Sequence, residues 1–208
     1  MSSISGLHIA RKPKRYEHWN KIIPAWVELH TRYAKFSGDA AYQYTERSNT
    51  GILASAAYQA GYVALEEYQA TKINEYGEEW LGRCDLWVSD GKNFSEIIEA
   101  KQPECFVVIE RAERVVEVAN NFLQSALSDA RNTLYGYVGK GSGIAFLPVY
   151  ASAVPSETEI QSLVEAVRDS KAIEADVIAW CFPEETRGLV GKNDKIYSGL
   201  FVVIKAAE

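Results

Sequence analysis

Residues 83–101 read RCDLWVSDGKNFSEIIEAK, and no other stretch constrains the fold as tightly. Two strand-compatible runs flank Asp90-Gly91, a strong short-range signal for a β-hairpin. The pattern predicts strands over 83–89 and 94–101, paired antiparallel across a tight turn. Side chains alternate across a strand, so Glu99 and Lys101 share one face while Ile98 and Ala100 take the other. On the partner strand Asp85 shares its face with Trp87, and Cys84, Leu86 and Val88 point away. Pairing then brings Asp85 up to Glu99, with Lys101 beside them. Like charges gathered on a half-buried face destabilise a sheet, and a divalent cation would remove the repulsion. Ligands that offer only oxygen favour a hard ion, Mg²⁺ or Mn²⁺. Such an ion lowers the pKa of a bound water and neutralises charge on a phosphodiester. A neighbouring lysine can orient or help deprotonate that water, and can stabilise developing negative charge. The plainer account of the same three residues is an exposed cross-strand salt bridge, which is worth little.

Around the hairpin the periodicity changes repeatedly. Thr45 is placed to cap a helix over 45–60, with Glu46 in its first turn and Gly61 as its stop. Tyr62, Val63, Tyr68 and Thr71 favour a strand over 62–73. A long helix is predicted over 110–134, with Val116, Ala119, Leu123, Ala126, Ala130 and Leu134 facing inward. A strand over 144–151, a helix over 157–170 and strands over 176–182 and 200–205 follow. The order α-β-β-β-α-β-α-β-β gives an α/β (α+β) protein: a mixed central sheet with helices on its faces. Residues 1–44 read as a basic N-terminal appendage punctuated by Pro13 and Pro24. Its aromatics, Tyr16, Trp19, Trp26, Tyr33 and Phe36, predict that it packs onto the body formed by residues 45–208. The expected whole is one globular unit.

At 208 residues and 47% hydrophobic content the chain can bury one good core. No apolar run reaches the roughly 20 residues that span a bilayer, so no membrane partner is expected. The first residues carry no charged leader followed by an apolar stretch, and Cys84, Cys105 and Cys181 form neither a CxxC pair nor a disulfide framework. A reducing cytoplasm is the expected location. Net charge is −6, yet residues 1–36 hold seven cations and two anions. A basic arm on an acidic body suits phosphate contact at one surface and cation binding at another.

Glu99-Ala100-Lys101 matches a (D/E)-x-K element, and Asp85 lies 14 positions upstream across a hairpin, within a Gly82-Arg83-Cys84-Asp85-Leu86-Trp87 strand. Together with the α-β-β-β-α-β order from Thr45 to Tyr150, this resembles the PD-(D/E)XK nuclease superfamily over about half the chain. The resemblance implies a restriction-endonuclease-like fold with an αβββαβ core and Mg²⁺-dependent hydrolysis of phosphodiester bonds in nucleic acid, DNA foremost. Asp85 and Glu99 would be metal ligands and Lys101 the water-activating group. Family members usually add a helix glutamate, for which Glu46 is similarly placed; Glu67 on the first strand is the other candidate. Gln102 after the lysine also recurs in some members. In this chain Cys84 stands where the family's name has proline. The nucleic-acid contacts expected are Arg83, Gln102, Arg11, Lys12, Lys14 and Arg15. A homodimer would suit cutting both strands of a duplex. Because the superfamily includes members without activity, the alternative is a nuclease-fold binding or structural module in a larger complex.

Three other features point to less. His8, His18 and His30 fit no metal spacing and read as surface or packing residues. The segment 136–143, GYVGKGSG, lacks the spacing of a Walker loop and reads as a flexible loop before a buried strand, with Lys140 a candidate phosphate contact. Trp80 and Trp87 flank the hairpin as core or rim residues.

Overall fold

Alternation along the central strands sets the architecture. The computed structural model describes residues 3–103, 107–109, 111–134, 139–191 and 194–207. Strand β6 (Lys140–Ala151) sends Ile144 and Phe146 into one apolar cluster and Ala145 and Leu147 into another; β8 (Ile196–Ala207) does the same with Val202 and Ile204 against Phe201 and Val203. A sheet apolar on both faces needs a layer on each. Helices α1 (Trp19–Ser37) and α2 (Glu46–Gln59) cover the first face, and α3 (Ala112–Leu134) and α4 (Glu157–Arg168) the second.

The sheet is mixed, in the order β1 (Ile4–Ile9), β7 (Val177–Phe182), β8, β6, β4 (Ser95–Lys101), β3 (Glu79–Ser89), β2 (Val63–Ile73). Strands β1, β7, β3 and β2 pair antiparallel with their neighbours. Strand β4 pairs parallel with β6 through the α3 crossover, and the two-residue β5 (Val107–Val108) continues that line along β6. From α2 onward the order is α-β-β-β-α-β-α-β-β as expected, with β5 as an added short strand.

The basic segment supplies two elements that no pattern above predicts. Strand β1 joins the sheet at its β7 edge, and α1 runs straight through Pro24. Trp19, Ile22, Ile23 and Trp26, at helical spacing, are all at most 1% exposed. Each tryptophan buries on the order of 200 Å², about 5 kcal/mol of gross hydrophobic gain. That outweighs the roughly 3 kcal/mol an interior proline costs a helix. His30 lies in the same core against Trp26 and Tyr42, and burial pushes its imidazole down to about 3, so it packs as a neutral ring.

The ends of α2 follow their sequence signals. The Thr45 hydroxyl accepts the Ser48 N–H at 3.3 Å. Gly61 takes a left-handed φ of 88°, its N–H reaching Tyr58 O while that of Tyr62 reaches Ala57 O, a Schellman stop. The hairpin turn is looser than expected. Residues 90–94 form a five-residue loop in which Asp90 Oδ1 accepts the N–H groups of Lys92, Asn93 and Phe94. The expected loop over 136–143 is also revised: β6 begins at Lys140, and residues 135–138 lie outside the described set. The reason is steric. A Cβ on Gly143 would sit 2.7 Å from the backbone N of Leu127, so these glycines let α3 lie directly on the strand. Glu110, expected to start α3, and Cys105 lie outside the described residues; Cys84 and Cys181 are buried free thiols. Among the described residues no helix is long and apolar enough to cross a membrane.

Candidate functional site

Strand β3 parts from both neighbours at Asp85. The ladder to β4 runs from Ser89↔Ser95 to Leu86↔Ile98 and stops. On the other side the pairing passes from Glu66↔Leu86 to Tyr68↔Cys84 and omits Glu67 opposite Asp85, because Glu67 has a left-handed φ of 51°. Such strain in a residue with a side chain costs on the order of 1–3 kcal/mol and tends to gather at functional sites. Into the gap the Asp85 side chain supplies what the backbone does not: its Oδ2 accepts the Ala100 N–H at 2.7 Å. With Trp87 opposite Ile97, two steps further along each strand put Asp85 and Glu99 opposite one another on one face.

Glu99 is 1% exposed. Its Oε1 accepts Lys72 Nζ at 2.9 Å and Thr133 Oγ1 at 2.6 Å. Burial drives its carboxyl above the usual range, and the Asp85 charge adds to this against the lowering effect of Thr133 and Lys72. Lys101 reaches the same helix as Thr133, with Nζ 2.7 Å from Asp129 Oδ2. Burial alone would lower its pKa, but Asp129, Glu46 and Asp85 together hold it above the ordinary lysine value. Lys101 is therefore an ammonium, suited to donating and to stabilising negative charge and unsuited to removing a proton.

Glu46, at the start of α2, approaches the end of β4, where its Oε2 accepts the Gln102 N–H at 2.9 Å. Its carboxyl is also raised, first by burial and then by Asp85 and Asp129, with Lys101 and the Gln102 N–H pulling it down. Asp85, Glu99, Lys101 and Glu46 thus form one electrostatically coupled group at the C-terminal end of β4.

No protein-family model, curated protein or solved structure matches the chain.

The other predicted residues stand apart from this group. The Glu67 carboxylate faces Arg47 at 3.5 Å and Arg83 at 3.3 Å, so Arg83 meets a carboxylate while remaining largely exposed. Gln102 is clamped by its own neighbourhood: Asn49 Nδ2 donates to its Oε1 at 2.7 Å, and its Nε2 donates to Tyr44 O. Arg11, Lys12 and Lys14 are exposed between β1 and α1, and Arg15 turns inward, donating to Gly141 O at 2.7 Å. Sequence reasoning missed Lys72, Asp129 and Thr133. The four-residue spacing of Asp129 and Thr133 on α3 is the only local signal that they share a face.

Among the described residues no group of three or more His, Cys, Asp or Glu side chains is arranged to hold a metal ion. Two carboxylates do fit part of such a site. Asp85 and Glu99 each use one oxygen within the protein, leaving Asp85 Oδ1 and Glu99 Oε2 without a hydrogen-bond partner among the described residues. Mg²⁺ commonly binds through one or two carboxylates and keeps waters or phosphate oxygens for the rest.

Proposed function

We propose that the protein hydrolyses phosphodiester bonds in nucleic acid, DNA first, with a hard divalent cation held by Asp85 and Glu99. The observation that carries this reading is the parting of β3 from both neighbours at Asp85, opposite Glu99 and next to a Lys101 kept protonated. Buried Glu99 and half-buried Asp85 each keep one oxygen without a hydrogen-bond partner among the described residues, which suits a further cation beside Lys72 and Lys101. The α-β-β-β-α-β order from α2 to β6 supports a restriction-endonuclease-like core. Mg²⁺ or Mn²⁺ would supply charge neutralisation and a more acidic water. Within the chain, Thr133 and Lys72 fix Glu99, Asp129 holds Lys101, and the Lys101 ammonium donates to the negative charge that grows on the scissile phosphate. Glu46 anchors the end of β4 and adds to the local negative potential.

The test is cleavage of linear, nicked, branched and single-stranded DNA by the purified protein with Mg²⁺ or Mn²⁺. Cleavage is expected with metal and none with chelator, with at least a 10²-fold rate loss in Asp85→Ala and Lys101→Ala. Cleavage of undiminished rate in both variants overturns the proposal.

A second reading has one observation behind it: Lys101–Asp129 and Lys72–Glu99 already form ion pairs that tie α3 and β2 to β4. In that reading the cluster is structural and the chain is a binding or scaffolding module. It predicts no cleavage under any condition and a lower Tm in Lys101→Ala.

A further inference from the structure

A second glutamate of β4 serves a different place. Glu96 is fully buried on the α1 face, at the opposite end of the strand from Lys101. Its Oε1 accepts Ser142 Oγ at 2.6 Å and lies 3.5 Å from Arg15 Nη2; its Oε2 lies 2.8 Å from His18 Nε2, without hydrogen-bond geometry. The His18 ring, 7% exposed, packs between Trp19 and Phe94. Arg15 and His18 are thereby fixed in the wall of a cavity of about 320 Å³.

Three further cations line that cavity: Lys14, Lys21 and Lys140. None has a carboxylate partner among the described residues, and Lys140 sits over the Phe94 ring at 5.4 Å. The lining anions are Glu17 and Asp90, and the Asp90 carboxylate is already stabilised by its three turn N–H groups. The lining cations outnumber the lining anions four to two, and four to three once the buried Glu96 that faces Arg15 is counted, in a chain of net charge −6. Arg15 Nε, in the wall, is buried with no hydrogen-bond partner. The first-turn N–H groups of α1 are satisfied by the preceding turn, so side chains rather than the helix end make this site.

We propose that this cavity binds a phosphate monoester, carried either by a nucleoside 5′-monophosphate or by the 5′ end of a nucleic-acid strand. A monoester presents three terminal oxygens and up to two charges, matching three lysine ammonium groups around a fixed guanidinium. The volume is at the small end for ligand pockets and suits one nucleotide, not a duplex. Five residues of strand, roughly 17 Å, and the thickness of the sheet separate it from Lys101. The site therefore stands whether or not the acid cluster is catalytic.

The test is calorimetric titration of the full chain at low salt, with chelator present so that nothing is cleaved. The probes are adenosine 5′-monophosphate, adenosine, and one single-stranded DNA oligonucleotide with and without a 5′-phosphate. At least tenfold tighter binding of a phosphorylated probe than of its unphosphorylated counterpart is expected. Preference within the mononucleotide pair identifies a small ligand, and preference within the oligonucleotide pair alone identifies a strand end. Lys21→Glu, an exposed change that spares the core, should weaken that binding at least tenfold, and Lys171→Glu, away from the cavity, should not. Equal affinity within both pairs, or equal effects of the two substitutions, overturns the site.

Discussion

Glu96 and Glu99 are three residues apart on one strand, equally buried, and differently satisfied. On the α1 face Glu96 is ringed by groups that can carry positive charge or donate: Oε1 accepts the Ser142 hydroxyl beside Arg15, and Oε2 stands 2.8 Å from His18 Nε2. On the α3 face Glu99 has one oxygen engaged and a second acid, Asp85, nearby. The first arrangement pins the N-terminal segment to the sheet. The second gathers Asp85, Glu99, Glu46 and Asp129 around only Lys72 and Lys101, an excess of acid that a bound cation or a retained proton would offset. A buried carboxylate is informative by how its oxygens are used, not by being buried.

The comparison breaks most easily through stability. Glu96→Ala leaves Arg15 and His18 facing a void, and a loss of about 3–5 kcal/mol is expected from removing one partner of a buried charged cluster. Glu99→Ala should cost clearly less, because losing the Lys72 and Thr133 contacts is offset by relief of repulsion from Asp85. Urea denaturation of the two variants checks this, and equal losses would erase the distinction. Gly143→Ala should cost about 1–3 kcal/mol, since its Cβ meets backbone of α3 that cannot rotate away. Moving α3 also moves Asp129 and Thr133, so cleavage should fall with stability. Gly141→Ala should be milder, because its Cβ meets only side-chain atoms of Leu134. The smallest effect is a titration. In Asp85→Asn the Glu99 carboxyl should move down towards the ordinary glutamate range as one source of its elevation disappears, read by carbon NMR of the glutamate carboxyls. The sign for stability follows. A raised folded pKa means that the folded state holds the proton more tightly, so stability falls as pH rises from the ordinary glutamate range through the raised value. Asp85→Asn should flatten that fall.

Much of this was legible in local pattern. A period of two placed Glu99 and Lys101 on one face, and Asp90-Gly91 announced the hairpin that brings Asp85 opposite. Thr45 and Gly61 marked the ends of α2. The N-terminal elements were hidden, although Trp19, Ile22, Ile23 and Trp26 have helical spacing, because Pro24 reads locally as a breaker and the burial that overrides it is tertiary. The start of β6 was hidden in the same way: Gly141 and Gly143 look like loop residues until α3 is laid on them.

The amino-acid order by itself determined the hairpin, the alternation of its side chains and the sequence of helices and strands, because those depend on neighbours a few residues apart. Only the folded chain decided which acids keep a free oxygen, that Lys101 is held by Asp129, that Lys72 and Thr133 reach Glu99, and that Lys14, Lys21 and Lys140 ring one cavity. Those outcomes depend on how strands and helices distant in sequence stack, and on the desolvation that the stacking imposes, and neither is encoded in local periodicity.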